Sequence, residues 1–251
     1  MKNIFRHTFL SHASALALLI SAAAFNAPAL AAGPTVVELF TSQGCSSCPP
    51  ADKILGELKH RDDVIALTFP VDYWDYLGWK DTLASPAHSK RQRDYARARG
   101  DRQIYTPQMV MNGRVHVVGN RPVSINKAIK TVTNESGVKI SMTADGDAIR
   151  LSATNVDANA SLTNDKATLW LVLFNGSETI KIGRGENGGH TITYHNVVRQ
   201  MTPIGMWEGK PMTISLPKSQ FVASGFDGCA VILQRDKSHE IIAAAMMDNL
   251  K

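Results

Sequence analysis

The segment Val36–Asp52, VVELFTSQGCSSCPPAD, runs an apolar stretch into a short polar turn, places Cys45 and Cys48 three residues apart, and then opens what reads as a helix. An apolar run followed at once by Cys-x-x-Cys and a helix start is the setting in which two thiols do redox chemistry. The amide groups and dipole of a helix N-terminus stabilise a thiolate, so the first cysteine becomes nucleophilic near neutral pH. Cys45 would attack a substrate sulfur and Cys48 would resolve the mixed disulfide. Pro49 and Pro50 are compatible with this, because a first helical turn has no use for their missing N–H groups. A structural disulfide, or half of a metal site, fits the same four residues and stays open at this point.

Working outward, short apolar runs at Val36–Phe40 and Val64–Phe69 alternate with helical stretches at Asp52–His60 and Ser85–Arg99, the pattern of an α/β sheet. Tyr105-Thr106-Pro107 leads into QMVMNGRVHVVG, two alternating runs joined by Asn112-Gly113, which predicts a β-hairpin directly after a proline. Beyond Asn134-Glu135-Ser136-Gly137 the pattern is almost all strand. Val138, Ile140 and Met142 alternate, cross Asp145-Gly146 and resume at Ile149 and Leu151; further runs fall at Thr168–Phe174, Thr191–Val198, Met212–Leu216, Ala230–Gln234 and Ile241–Ala245. Short strands at this spacing predict a β-sandwich of about 110 residues.

The first 31 residues carry a basic start (Lys2, Arg6), an apolar run from Ala13 to Ala24, and the A-x-A pattern Ala29-Leu30-Ala31, so they read as a secretory signal peptide. No later apolar run approaches the roughly 20 residues of a membrane helix. The expectation is a secreted or periplasmic protein with no membrane span after cleavage, in a compartment that permits disulfides. The formal charge of +5 drops by two without Lys2 and Arg6, too mild a balance to argue for nucleic acid.

The strand, the Cys-x-x-Cys helix start, the downstream Thr106-Pro107 and the following hairpin together resemble the thioredoxin fold over roughly residues 35–133. More narrowly, VVELFTSQGCSSCPPAD with the later GRGENGGHTITYHNVVR is similar to a family of bacterial secreted proteins of unknown function, thioredoxin-like at the front and β-rich behind. The resemblance implies an α/β thioredoxin-like domain over 32–135 followed by a mostly antiparallel β-sandwich-like domain over 137–251. It implies that Pro107 is a cis-proline, that the Thr106 backbone pairs with an extended substrate, and that Arg121–Val132 supplies the closing helix. Two departures stand out. Ser46-Ser47 replaces the usual Gly-Pro, and Glu38 lies one residue out of step with the buried acid of that family. Glu38 could equally pair with a lysine at the strand edge. The stretch between the second strand and Pro107 is longer than a minimal member needs and reads as a helical insertion.

The function expected from these residues is a thiol–disulfide oxidoreductase whose partners are protein or small-molecule thiols and disulfides. Trp74 is a further substrate-binding candidate, and Glu38, Ser46, Ser47, His190 and His195 are candidates for the surrounding shell. One alternative is a copper or thiol-ligand binding module without disulfide turnover, since soft thiolates suit Cu(I) and His88, His116, His190 and His195 are available, although no metal is assigned. Another is a non-catalytic adaptor that binds through the β-rich part. Structural zinc is disfavoured because no second C-x-x-C and no H-x-x-x-H is present. Lys90, Arg91, Arg93, Arg97, Arg99 and Arg102 read as a solvated helix face or a basic patch, the glycines of GRGENGG as a turn or bulge, and Cys229 as an unpaired residue of a buried strand.

Overall fold

The computed structural model describes Met1 and residues 33–132, 137–155 and 166–250, so the expected signal segment after Met1 and the boundary at Asn134–Ser136 lie outside the described residues. Strand β1 (Thr35–Thr41) is buried along its whole length and runs parallel to β2 (Val64–Pro70) and antiparallel to β3 (Gln108–Met111). A strand covered on both faces needs a continuous apolar run rather than alternation, which is why Val36–Phe40 shows no period. Val37 and Leu39 pack with Ala51 and Leu55 of helix α1 (Pro49–Leu58) and with Ile125 and Ile129 of α3 (Pro122–Thr131). On the opposite face Val36 and Phe40 pack with Tyr95 of α2 (Pro86–Arg99).

Helix α2 starts where sequence chemistry puts it. Ser85 is extended and accepts from the Ala87 N–H at 3.3 Å, Pro86 takes the first helical position, and Gly100 closes the helix at φ 76°. The 3-10 turn Asp75–Leu77 and α2 together form the expected insertion. Strand β3 returns as β4 (Val115–Val118) through Asn112 and Gly113, both at positive φ, and the Asn112 carboxamide oxygen accepts from the Val36 N–H at 2.7 Å, fastening this turn to the start of β1.

The β-rich part does not form its own closed pair of sheets. Strands β7 (Ala167–Lys181), β8 (Thr191–Trp207), β10 (Gly228–Arg235) and β11 (Ile241–Met247) join the front strands in one eight-stranded sheet, ordered β11-β10-β7-β8-β2-β1-β3-β4. The bridge is the edge of β2: Thr68 pairs with Val197, its hydroxyl donates to the His195 carbonyl at 2.6 Å, and the Asn196 carboxamide donates to the Ala66 carbonyl at 3.0 Å. An open edge of the front sheet is thereby covered. Strands β5 (Val138–Asp145), β6 (Ala148–Asn155) and β9 (Met212–Pro217) form a separate three-stranded sheet. It packs Ile149 and Leu151 against Leu169, Leu173, Val231 and Leu233 of the large sheet, with Phe221 of the short helix α4 (Lys218–Ala223) at one side. The chain is therefore a mixed α/β protein with a large, mostly antiparallel sheet and few helices, and residues 32–251 form one compact unit.

Candidate functional site

Cys45 and Cys48 form a disulfide with their Cα atoms 5.4 Å apart, at the N-terminus of α1. Cys45 is 5 % exposed and Cys48 fully buried, so Cys45 is the more accessible of the two. Ser46 and Ser47 are exposed between them, and the Ser47 hydroxyl lies 3.5 Å from Cys45 Sγ.

The turn that delivers Cys45 is held from several directions. Gly44 N–H donates to the Ser42 hydroxyl and Cys45 N–H to the Ser42 carbonyl, both at 3.1 Å. The buried Gln43 donates its N–H to the Asp81 carboxylate at 2.8 Å, and its carboxamide oxygen accepts from the Trp79 indole at 2.7 Å. From the β-rich part, the buried Asn187 donates to both the Gln43 and Cys45 carbonyls at 2.9 Å. The GRGENGG stretch approaches Trp79 closely because it has no side chains there: a Cβ at Gly183 would stand 3.0 Å from the Trp79 ring, and Gly185 adopts φ 76°. These two glycines serve close approach as well as a turn.

The proline side of the site comes together as well. Thr106-Pro107 is a cis peptide bond, and Pro107 is buried beside Ala51 and Leu39 where Gly119 leaves room. The Trp74 indole donates to the Thr106 hydroxyl at 2.8 Å, while the Trp74 backbone and Cβ sit directly on Gly44, the residue before Cys45. Trp74 thus links Thr106 to the cysteine turn. Tyr76, 76 % exposed, stacks on Trp74 with ring centroids 6.3 Å apart. Gln92 of α2 steadies the approach to the proline, donating to the Tyr105 carbonyl at 2.8 Å and accepting from the Tyr73 hydroxyl.

Other expected residues lie elsewhere. Glu38 points to the α2 face and is fully buried in an ion pair with Arg91 at 2.8 Å, where Arg91 also reaches the Tyr95 hydroxyl and the Gln234 carboxamide. Its partner is an inward-turned arginine rather than a lysine at the strand edge. The basic row on α2 is accordingly largely spoken for, with Lys90 and Arg97 on Asp94 and Arg99 on Asp101. His195 packs its ring on Gly56, two turns along α1 from Cys48, and burial pushes its pKa down. His190 folds onto its own loop, its Nδ1 3.2 Å from the Asn187 carbonyl. His88 bonds the Pro70 carbonyl on the α2 side, and burial lowers its pKa to about 4. His116 faces the Tyr105 hydroxyl. Among the described residues no group of three or more His, Cys, Asp or Glu side chains gathers in metal-ligand geometry. Cys229 is buried and unpaired, its thiol pushed up to about 12 by burial, which leaves it inert.

Asp52, Asp81 and Asn187 were not singled out by sequence reasoning. The spacing of Asp52 from Cys48, one helical turn, was a usable signal; Asn187 lies 142 residues from Cys45 and has no local signature.

Fold and site together define a mixed α/β protein with a Cys-x-x-Cys disulfide at a helix N-terminus, flanked by a cis-proline and a tryptophan. Residues 36–234 match the family described as Protein of unknown function (DUF1223), and the chain belongs to that family. A crystal structure of protein AGR_C_4864 from Agrobacterium tumefaciens is similar at 36% identity, TM-score 0.73, covering 87% of this chain and 96% of that one. HBP35 of Porphyromonas gingivalis is similar in fold at 16% identity and TM-score 0.60, covering 88% and 76%. No curated protein matches the chain.

Proposed function

We propose that this is an exported thiol–disulfide exchange protein with a thioredoxin-like front half, in which Cys45 is the nucleophile and Cys48 the resolving thiol. The observation that carries the reading is the pairing of a less-buried Cys45 with a fully buried Cys48 at the start of α1, next to Trp74, Thr106 and cis-Pro107. A helix N-terminus lowers the thiol pKa of the residue it faces, and the thiolate is the attacking species. Export is supported by the basic start, the Ala13–Ala24 apolar run and the A-x-A pattern of the first 31 residues.

In the reduced protein, the Cys45 thiolate attacks one sulfur of a substrate disulfide. The Cys45–substrate bond forms, the substrate disulfide breaks, and one substrate thiolate leaves. Cys48 then attacks Cys45 Sγ, the Cys45–Cys48 bond forms, and the second substrate thiolate is released, so two electrons pass to the substrate. The same steps reversed oxidise a substrate dithiol. The Thr106 backbone receives an extended substrate chain, and Trp74 and Tyr76 offer an aromatic ledge beside it.

The test is exchange with a model disulfide by the folded protein. Cys45→Ser abolishes turnover with the fold intact, whereas Cys48→Ala accumulates a mixed disulfide at Cys45 visible by mass spectrometry. Turnover undiminished in Cys45→Ser contradicts the proposal.

A further inference from the structure

On the face of the large sheet opposite α1, a cavity of about 240 Å³ lies between α2 and strands β7 and β8. Pockets for drug-sized ligands run from roughly 300 to 1,000 Å³, so this one suits a molecule of about one ring. Its floor is apolar and closed: Phe69 of β2 and Tyr95 of α2 are buried, and each already carries the Arg91 guanidinium over its ring, at 5.5 and 4.9 Å. The wall is more open. Trp170 of β7 and Met201 of β8 are only half-buried, and no ring stacks on Trp170 among the described residues. An indole beside a thioether is a surface on which a flat ring packs well.

The polar groups of the lining are graded by depth. His88, 6 % exposed, belongs to the buried end. Its Nδ1 lies 2.8 Å from the Pro70 carbonyl, which can only accept, so Nδ1 carries the ring proton and Nε2 is an acceptor with no partner among the described residues. Burial keeps this ring neutral, lowering its pKa to about 4; Arg199 and Arg91 push the same way, against the Pro70 bond and Asp72. Burial lowers His239, the other imidazole of the lining, as well. Arg91 is committed to Glu38, Gln234 and Tyr95, and Asp94 is held by Lys90 and Arg97. The cation left over is Arg199, whose exposed guanidinium has no ion pair or hydrogen bond among the described residues. It stands at a β-bulge: the register steps from Leu173 opposite Gln200 to Phe174 opposite Val198, so no residue of β7 faces Arg199. A bulge re-aims the side chain it carries, here at the mouth of the cavity.

We propose that this cavity binds a small aromatic carboxylate bearing a hydroxyl on its ring. The ring lies on Trp170 and Met201, the hydroxyl donates to His88 Nε2 at depth, and the carboxylate meets Arg199 at the mouth. Each part of the ligand answers one feature of the site: a half-open aromatic wall takes a ring, a buried acceptor without a partner takes a donor, and an unpaired arginine takes an anion. A fatty acid would satisfy Arg199 and leave His88 Nε2 without its donor. A neutral phenol would do the reverse. The proposal is independent of the exchange reading, because neither cysteine lines this cavity.

The experiment titrates para-hydroxyphenylacetate into the mature protein by calorimetry and locates it by proton–nitrogen NMR. Binding is expected to shift the Trp170 indole signal and to leave that of Trp74, which sits on Gly44 beside Cys45, in place. Two comparisons need no variant. Phenylacetate, which lacks the hydroxyl, and para-ethylphenol, which lacks the carboxylate, should each bind about 5-fold or more weakly, the usual worth of one hydrogen bond. Arg199→Gln changes an exposed side chain with no partner to lose, so the fold stays intact, and affinity for para-hydroxyphenylacetate falls by on the order of 10-fold or more, as expected for a bond to a charged group. Phenylacetate or decanoate binding as tightly as para-hydroxyphenylacetate overturns the proposal, and so does unchanged affinity in Arg199→Gln. Heat without movement of the Trp170 signal, or no binding at about 10 mM, overturns it too, whatever the cysteine pair does.

Discussion

Glu38 and Asp52 are both acids with almost no exposure, and strand and helix geometry set them in opposite circumstances. Alternation along β1 turns Glu38 toward α2, into the arms of Arg91, whose guanidinium also lies 4.9 Å above the Tyr95 ring. Removing one member of a buried pair leaves the other charge unpartnered, which costs roughly 3–5 kcal/mol. Glu38→Ala should therefore lower unfolding free energy by about that amount in a urea titration; a loss below about 1 kcal/mol would show that Arg91 finds another partner. Asp52 sits instead on the α1 face, where burial pushes its pKa well up and a Thr41 hydrogen bond opposes. Sequence reasoning singles out Glu38 but not Asp52, and the partner of Glu38 sits 53 residues away on a helix whose inward side carries charge. A row of arginines reads as solvated because its inward-turned members, Arg91 and Arg99, look like the rest.

At the scale of elements, local chemistry predicted well where the cause is local. The Asn112-Gly113 hairpin, the turn after Asp145, the Ser85-Pro86 start and Gly100 end of α2, and the proline-led α1 all follow from residues within a turn of the event. Loop docking did not, because the residues 183–190 act through distant partners: Trp79 against the glycines and Asn187 on the cysteine turn. Asn187→Ala would leave two buried carbonyls without their shared donor, worth about 1–3 kcal/mol. The expected outcome is a lower urea midpoint with faster amide exchange at Cys45 and Cys48, resolved residue by residue by NMR. Unchanged exchange in that turn would mean Asn187 is not what holds it.

For the molecule as a whole, the change of period near residue 137 suggested a front part and a strand-rich part, and it carried no sign that one compact unit and one large sheet would run through both. A pattern of alternation says that a strand has one buried face; it carries no information about which edge the strand will join. Here β8 is added to β2 through Thr68 and Val197, and one sheet runs through both parts. That junction brings Asn187 to the Cys45 carbonyl and packs β8 against α1, so the β-rich part contributes directly to the surroundings of the cysteine pair. The most direct test is to equilibrate the mature protein in glutathione buffers of graded poise, quench by alkylation, and weigh the Cys45–Cys48 segment by mass spectrometry. The account predicts a single two-electron transition between roughly −120 and −270 mV, the range of exchanging thiols. A pair still oxidised below about −300 mV would be a structural disulfide and would contradict it.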